Sequence, residues 1–210
     1  MFSADELLSH LLALSPDRRD AEFERLFSLA PPSGLPSVPA PDLIGYHASA
    51  LAPVVRALLD ANVGPDDVFI DLGSGMGKVT TLARHFTGAR VRGIEVQRAL
   101  VDRAPKLEGV EYVHADVRDA RLEDGTVFFL YAPFTGDVKR EVFERLHAVA
   151  RDHSIVVCAL AIDGTWDWLR PREADHFWLQ LFDSQVEGVS PRRTRTSPVD
   201  PRLQRLADER

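Results

Sequence analysis

Apolar positions recur at helical spacing twice near the start of the chain. Leu7, Leu8, Leu11, Leu12 and Leu14 form one stripe, and Phe23, Leu26, Phe27 and Leu29 form a second. Between them Ser15-Pro16-Asp17 reads as a stop and a new cap, with Pro16 at the first helical position. From Ala30 to Asp42 the prolines Pro31, Pro32, Pro36, Pro39 and Pro41 rule out helix and predict an extended linker or lid. Leu51–Leu59 is helical again, and Val63-Gly64-Pro65-Asp66 turns the chain. The period then changes. Strands are predicted at Asp67–Asp71, Arg90–Glu95, Val110–His114, Thr126–Tyr131 and Ser154–Leu160, with helices at Lys78–Phe86, Gln97–Arg103 and Asp137–Val149. Phe177–Phe182 and Val186–Val189 read as a closing hairpin. Such alternation implies an α/β fold: a doubly wound, parallel sheet with helices on both faces. The divisions expected are a helical cap with its proline-rich linker (residues 1–45), the α/β domain (46–190) and an arginine-bearing tail (191–210).

Composition narrows the class. With 210 residues, 45% hydrophobic and 27% charged, the chain suits one folded domain and excludes collagen-like or wholly disordered classes. The longest apolar run, Ile155–Ile162, spans eight residues, against the ~20 that a membrane helix needs. No signal-like segment is read at the start. The single cysteine, Cys158, points to a reduced compartment, so a cytoplasmic location is expected. A formal net charge of -7 disfavours non-specific nucleic-acid binding. From Ser190 onward, however, there are six arginines: Arg192, Arg193, Arg195, Arg202, Arg205 and Arg210. That stretch reads as a solvated, frayed tail or as an arm for an acidic partner.

The chemistry concentrates at Phe69–Lys78, where an apolar strand runs into Asp71, Gly73, Ser74, Gly75 and Gly77 before a helix. Glycines there permit positive φ and close approach of a ligand to the backbone. A phosphate-binding P-loop fails twice, because Leu72 stands where its first glycine belongs and Val79 follows Lys78. A dinucleotide fingerprint would need its third glycine at Lys78, one residue later than Gly77. A purely structural glycine-rich turn is the remaining alternative. The spacing Asp-x-Gly-x-Gly-x-Gly resembles motif I of the class I S-adenosylmethionine-dependent methyltransferases. That resemblance implies a Rossmann-like, mostly parallel seven-stranded sheet, and S-adenosyl-L-methionine as cofactor.

The next two strand ends fit the same pattern. Glu95 ends a strand 20 residues after Gly75, and an acid there can accept from both hydroxyls of a ribose diol. Its carboxylate is expected at an exposed strand end. After Val110–His114, the loop Ala115–Asp119 resembles the family's acidic loop. The resemblance assigns Asp116 to the adenine amino group and the Val117 amide to a ring nitrogen.

The fourth strand end, Tyr131-Ala132-Pro133-Phe134, faces the transferred methyl in this fold. Many amino-directed relatives carry Asn or Asp there, followed by Pro-Pro-Tyr/Phe. This chain keeps Pro133 and Phe134 but has no Asn or Asp. Tyr131 and Phe134 are expected to wall the methyl site, with cation–π contact worth about 0.5–2 kcal/mol, or else to be ordinary strand-end packing. Gly45-Tyr46-His47-Ala48-Ser49, with Gly64–Gly75 and Gly93-Ile94-Glu95, resembles the disruptor-of-telomeric-silencing type of histone-lysine methyltransferase. In that type a tyrosine-bearing loop folds over the cofactor's methionine part, and Tyr46 is the match. Its Asn-Asn-Phe-Ala-Phe signature is replaced by Tyr131–Phe134, and its Glu-Thr pair is not reproduced by His47–Ser49. The seven histidines and one cysteine show no metal-ligand spacing, and Trp166, Trp168 and Trp178 read as packing. With few insertions after the later strands, residues 1–50 are expected to supply most of the substrate wall.

Together these imply a methyltransferase whose acceptor is an amine such as a protein lysine. The alternatives are a small-molecule methyltransferase and a cofactor-binding protein without transferase activity. No membrane partner is expected.

Overall fold

A central strand buried along its whole length, β1 (Val68–Leu72), sets the architecture. The structure, a computed structural model, describes residues 2–30, 33, 41–172, 178–192 and 199–208. Before β1 lie three helices: α1 (Ala4–Leu12), α2 (Pro16–Phe27) and α3 (Leu51–Asp60). Ser3 caps α1 through a reciprocal capping box with Glu6. Ser15 is the N-cap of α2 with Pro16 following, but its side chain makes no capping hydrogen bond. Beyond β1 the chain alternates: α4 (Lys78–Thr87), β2 (Arg90–Glu95), α5 (Arg98–Val101), β3 (Val110–His114), β4 (Val127–Tyr131), α6 (Gly136–Asp152) and β5 (Val156–Leu160). β6 (Leu169–Pro171), β7 (Leu179–Ser184) and α7 (Pro201–Asp208) complete it.

The seven strands lie in the order β3-β2-β1-β4-β5-β7-β6. Pairing from β3 through β5 is parallel, and β7 runs antiparallel to both β5 and β6. This is the doubly wound sheet expected. Successive residues of the central strands feed opposite faces. Phe69, Phe129 and Cys158 join the core under α1 to α4 and α7, while Ile70, Phe128 and Val157 join the core under α6. The strand order reverses between β1 and β4, and such a reversal opens a crevice at the carboxyl ends of the strands. Among the described residues, no helix is long and apolar enough to cross a membrane.

Three elements differ from the expectation. The closing hairpin is displaced toward the N-terminus: β6 pairs with β7, and Val186–Val189 is not a strand. The helix expected over Gln97–Arg103 shrinks to the single turn Arg98–Val101. The chain end is not a solvated tail over its described part. Leu203 and Leu206 of α7 are buried in the core shared with α3. Arg192 Nη1 reaches Asp67 Oδ1 at 2.6 Å in a buried pair, and Arg202 binds Asp200 and Asp5 at 2.6 and 2.5 Å. Arg193, Arg195 and Arg210 lie outside the described residues, as does most of the proline-rich linker and Phe177. Trp166 stacks on Phe143 at 3.8 Å and Trp168 on His147 at 4.9 Å, so both pack against α6.

Candidate functional site

A cleft partly open to solvent lies at the carboxyl ends of β1 to β4. The turn after β1 brings Asp71, Gly73, Ser74 and Gly75 to it. Glu95 comes from β2, Asp116 and Val117 from the loop after β3, and Tyr131, Pro133 and Phe134 from the end of β4. Tyr46 arrives from the segment before α3. Gly77 alone among the expected residues does not border it. Gly77 has φ +84° as the N-cap of α4, and a side chain there would collide with the Tyr112 phenol. Its glycine serves packing behind the turn.

The floor of the cleft is acidic. Asp71 is 2% exposed and Glu95 7%, so Glu95 is buried, not at an exposed strand end. The reason is local: its two oxygens accept from the Gly75 amide at 2.9 Å and the Gln97 amide at 2.8 Å. Burial pushes the Glu95 carboxyl above its ordinary range, against the opposing pull of the Gln97, Gly75 and Val96 amides. Burial, and then the charge of Glu95, hold the Asp71 carboxyl well above its usual value. Asp71 Oδ2 has no hydrogen-bond partner, and neither have Ser74 Oγ and Gln97 Oε1. Among the described residues these three are all of the buried side-chain oxygens without a partner. All three residues line this one cleft. An unpartnered buried acceptor costs about 1–3 kcal/mol, so the cleft favours a ligand carrying several N–H and O–H donors. An adenosyl cofactor with an ammonium-bearing arm carries them.

The loop after β3 is held from two sides. Arg118 binds Asp116 through its amide (2.9 Å) and its guanidinium (2.8 and 3.0 Å), and this pairing lowers the Asp116 pKa. Arg145 of α6 donates to the Val117 and Arg118 carbonyls, each at 2.7 Å, and to the Ala120 carbonyl at 2.6 Å. Asp116 therefore keeps little spare accepting capacity, while Gln97 stands on the neighbouring strand end with its oxygen free. Register makes them neighbours, because Glu95 pairs with His114 and each residue lies two positions further on.

The roof comes from the N-terminal segment. The Ile44 amide donates to the Pro133 carbonyl at 3.0 Å, Leu43 bridges Phe134, and Asp42 Oδ2 accepts from the Asp137 amide that opens α6. Just before these contacts Ala132 takes a left-handed conformation, φ +37°, with its amide donating to the Leu160 carbonyl at 3.0 Å. Phe134 is 3% exposed, whereas Ile44 and Tyr131 are 38% and 39% exposed at the cleft. Burial pushes the Tyr46 phenol up, with Glu24 and Glu95 adding to the effect. Two cleft residues carry no motif signal of their own: Gln97, two positions after the acid, and Lys78, legible only as the lysine of a failed P-loop.

Comparison with known proteins agrees with this geometry. The family model "Histone methylation protein DOT1" matches residues 48–118, about a third of the chain. The match covers β1 to β3 and stops before the β4 end. An RNA methyltransferase from Salinibacter ruber, solved with S-adenosyl-L-homocysteine, is 26% identical. That likeness covers 68% of this chain and 95% of that one, with a TM-score of 0.51. Human N-acetylserotonin methyltransferase, solved with S-adenosylmethionine, is a looser likeness: 13% identity, 63% and 50% coverage, TM-score 0.47. A TehB-like methyltransferase from Corynebacterium glutamicum is similar at 15% identity, 64% and 88% coverage, TM-score 0.45. No curated protein matches the sequence. By its sheet order, its glycine-bearing turn, the family-model match and the likeness to the Salinibacter ruber enzyme, the chain has the fold of the class I S-adenosylmethionine-dependent methyltransferases.

Proposed function

We propose that the cleft binds S-adenosylmethionine and transfers its methyl group to an amine presented at the mouth beside Tyr131. The observation that carries the reading is the trio of unpartnered oxygens on Asp71, Ser74 and Gln97 around one cleft. In this reading Asp71 holds the cofactor's ammonium, Glu95 the ribose diol, and Asp116, the Val117 amide and Gln97 the adenine side. Gly73, Ser74 and Gly75 let the ligand lie on the turn, and Tyr46 covers it. When bound, the cofactor supplies an electrophilic methyl on a sulfonium. The chain's own residues then exclude water and align the acceptor for in-line displacement. Phe134 and Pro133 form the inner wall, and the exposed Tyr131 and Ile44 form the rim that meets the acceptor. With no Asn or Asp at this strand end, the acceptor's proton leaves to solvent. Residues 1–45 act as a helical cap on the domain 46–190.

Labelled S-adenosylmethionine tests this with three acceptor pools: lysine-bearing proteins, small amines and RNA. Label in protein or small amine supports the proposal. Label in RNA alone overturns the amine and supports a second reading, which the likeness to an RNA methyltransferase favours and the net charge of -7 opposes. Binding of S-adenosylhomocysteine with no transfer to any pool would leave a cofactor-binding protein. The compartment proposed is the cytoplasm.

A further inference from the structure

Lys78 opens α4 directly behind the glycine-bearing turn and borders the cleft. Its side chain is buried, and its ammonium binds Asp20 and, at 2.8 Å, Glu24 Oε1, both on α2. Asp20 Oδ1 also accepts the Leu51 amide, the first of α3, at 2.9 Å. One cation on the turn helix is therefore gripped by two acids that precede it by 58 and 54 residues.

Hydrophobic docking of α2 does not require this. Phe23 is fully buried, and the Phe27 ring meets His85 of α4 at 5.2 Å. An ammonium at the start of a helix faces the positive end of the macrodipole, and removing it from water is costly without close partners. The two α2 acids supply that compensation. Glu24 also lies near enough to Tyr46 for its charge to act on the phenol. The two acids thus hold the lysine that opens the turn helix, and Glu24 acts on Tyr46 as well.

We infer that Lys78 is a positioning residue through which Asp20 and Glu24 fix the cofactor-binding turn, so that cofactor binding and docking of α2 strengthen each other. This rests on the cleft being the cofactor site. Coupling of this kind is reciprocal: whatever orders the turn must also hold α2, and loosening α2 must weaken the ligand.

The test uses the full chain and S-adenosylhomocysteine, with calorimetry and amide hydrogen exchange. In the wild type, ligand should slow exchange across residues 16–27 more than across β7, which lies away from the cleft. Asp20→Asn with Glu24→Gln should weaken binding roughly tenfold or more and remove that extra protection. Lys78→Met should do the same, and Lys78→Arg should restore most of the affinity. The wild-type exchange measurement needs no variant, so misfolding of a mutant does not blunt it. Tight binding with unchanged exchange at 16–27, or a double variant that binds like the wild type, would overturn the inference. If S-adenosylhomocysteine does not bind the wild type at all, the cleft assignment itself fails.

Discussion

The ring of Tyr46 lies over the backbone of Gly75: a Cβ built on Gly75 would come 2.5 Å from Tyr46 Cε2 and 2.7 Å from Cδ2. Gly75 also has φ +54°, which costs a side-chain-bearing residue about 1–2 kcal/mol. Gly75→Val should therefore abolish S-adenosylhomocysteine binding in calorimetry. Gly75→Ala should lower the melting temperature, and adding Tyr46→Ala should recover part of that loss by removing the ring. A double variant no more stable than Gly75→Ala would show that the tyrosine is not what the glycine accommodates.

Asp71 should exchange stability for binding. Its folded-state pKa lies above its unfolded one, so its contribution is favourable in acid and is lost as pH rises through the folded value. Above the carboxyl's ordinary range, its burial is therefore a cost to the ligand-free protein. Asp71→Asn does not titrate, so the variant should melt higher than wild type at pH 8, with the gap closing toward pH 4. A gain of about 1 kcal/mol corresponds to roughly 2–4 °C in a domain this size. The same variant should bind S-adenosylhomocysteine at least tenfold more weakly. A variant that is less stable at pH 8 and binds normally would remove Asp71 from the site.

Glu95 should behave differently, because its carboxylate has a structural task as well. Glu95→Ala removes the acceptor for the Gly75 and Gln97 amides. It should weaken the ligand by roughly 1.5–3 kcal/mol and also cost about 1–3 kcal/mol in folding. Glu95→Gln keeps one acceptor oxygen and should recover part of the stability but less of the affinity. Denaturant unfolding beside calorimetry separates the two. An unchanged dissociation constant in Glu95→Ala would mean that the ribose does not lie there.

These contrasts also mark what the amino-acid pattern can convey. β2 and β3 are legible to the residue because each is a short segment carrying β-branched residues that begins just after a glycine, Gly88 or Gly109. The motif residues on the strand ends are legible for the same reason. Burial of Glu95 is not, because the groups that cover it, the Gly75 and Gln97 amides, belong to backbone and leave no side-chain signal. β6 is hidden as well: Leu-Arg-Pro has no alternation and is a strand only because β7 pairs with it. α7 offers just Leu203 and Leu206 among arginines, too short a period to outweigh the charge. The partners of Lys78 lie more than fifty residues upstream, and no local pattern reaches that far.

Tyr131 and Phe134 end the same strand turn but should fail in different ways. Phe134 is buried among Val138, Leu43 and their neighbours, so Phe134→Ala opens a cavity and should cost about 3–5 kcal/mol of stability. Tyr131 stands exposed at the rim, so Tyr131→Ala should leave folding nearly unchanged. On an identified amine acceptor it should lower turnover more than cofactor affinity, as expected of a group that aligns the acceptor. The acceptor itself must be neutral to attack, and a free lysine has a pKa of about 10.4. With no carboxylate at this strand end to take its proton, deprotonation depends on the apolar wall and on solvent. Turnover on a lysine substrate should therefore climb steeply between pH 7 and 9, while S-adenosylhomocysteine affinity stays nearly flat over that range. A flat rate profile together with normal turnover in Tyr131→Ala would place the acceptor away from this rim, against the N-terminal helices.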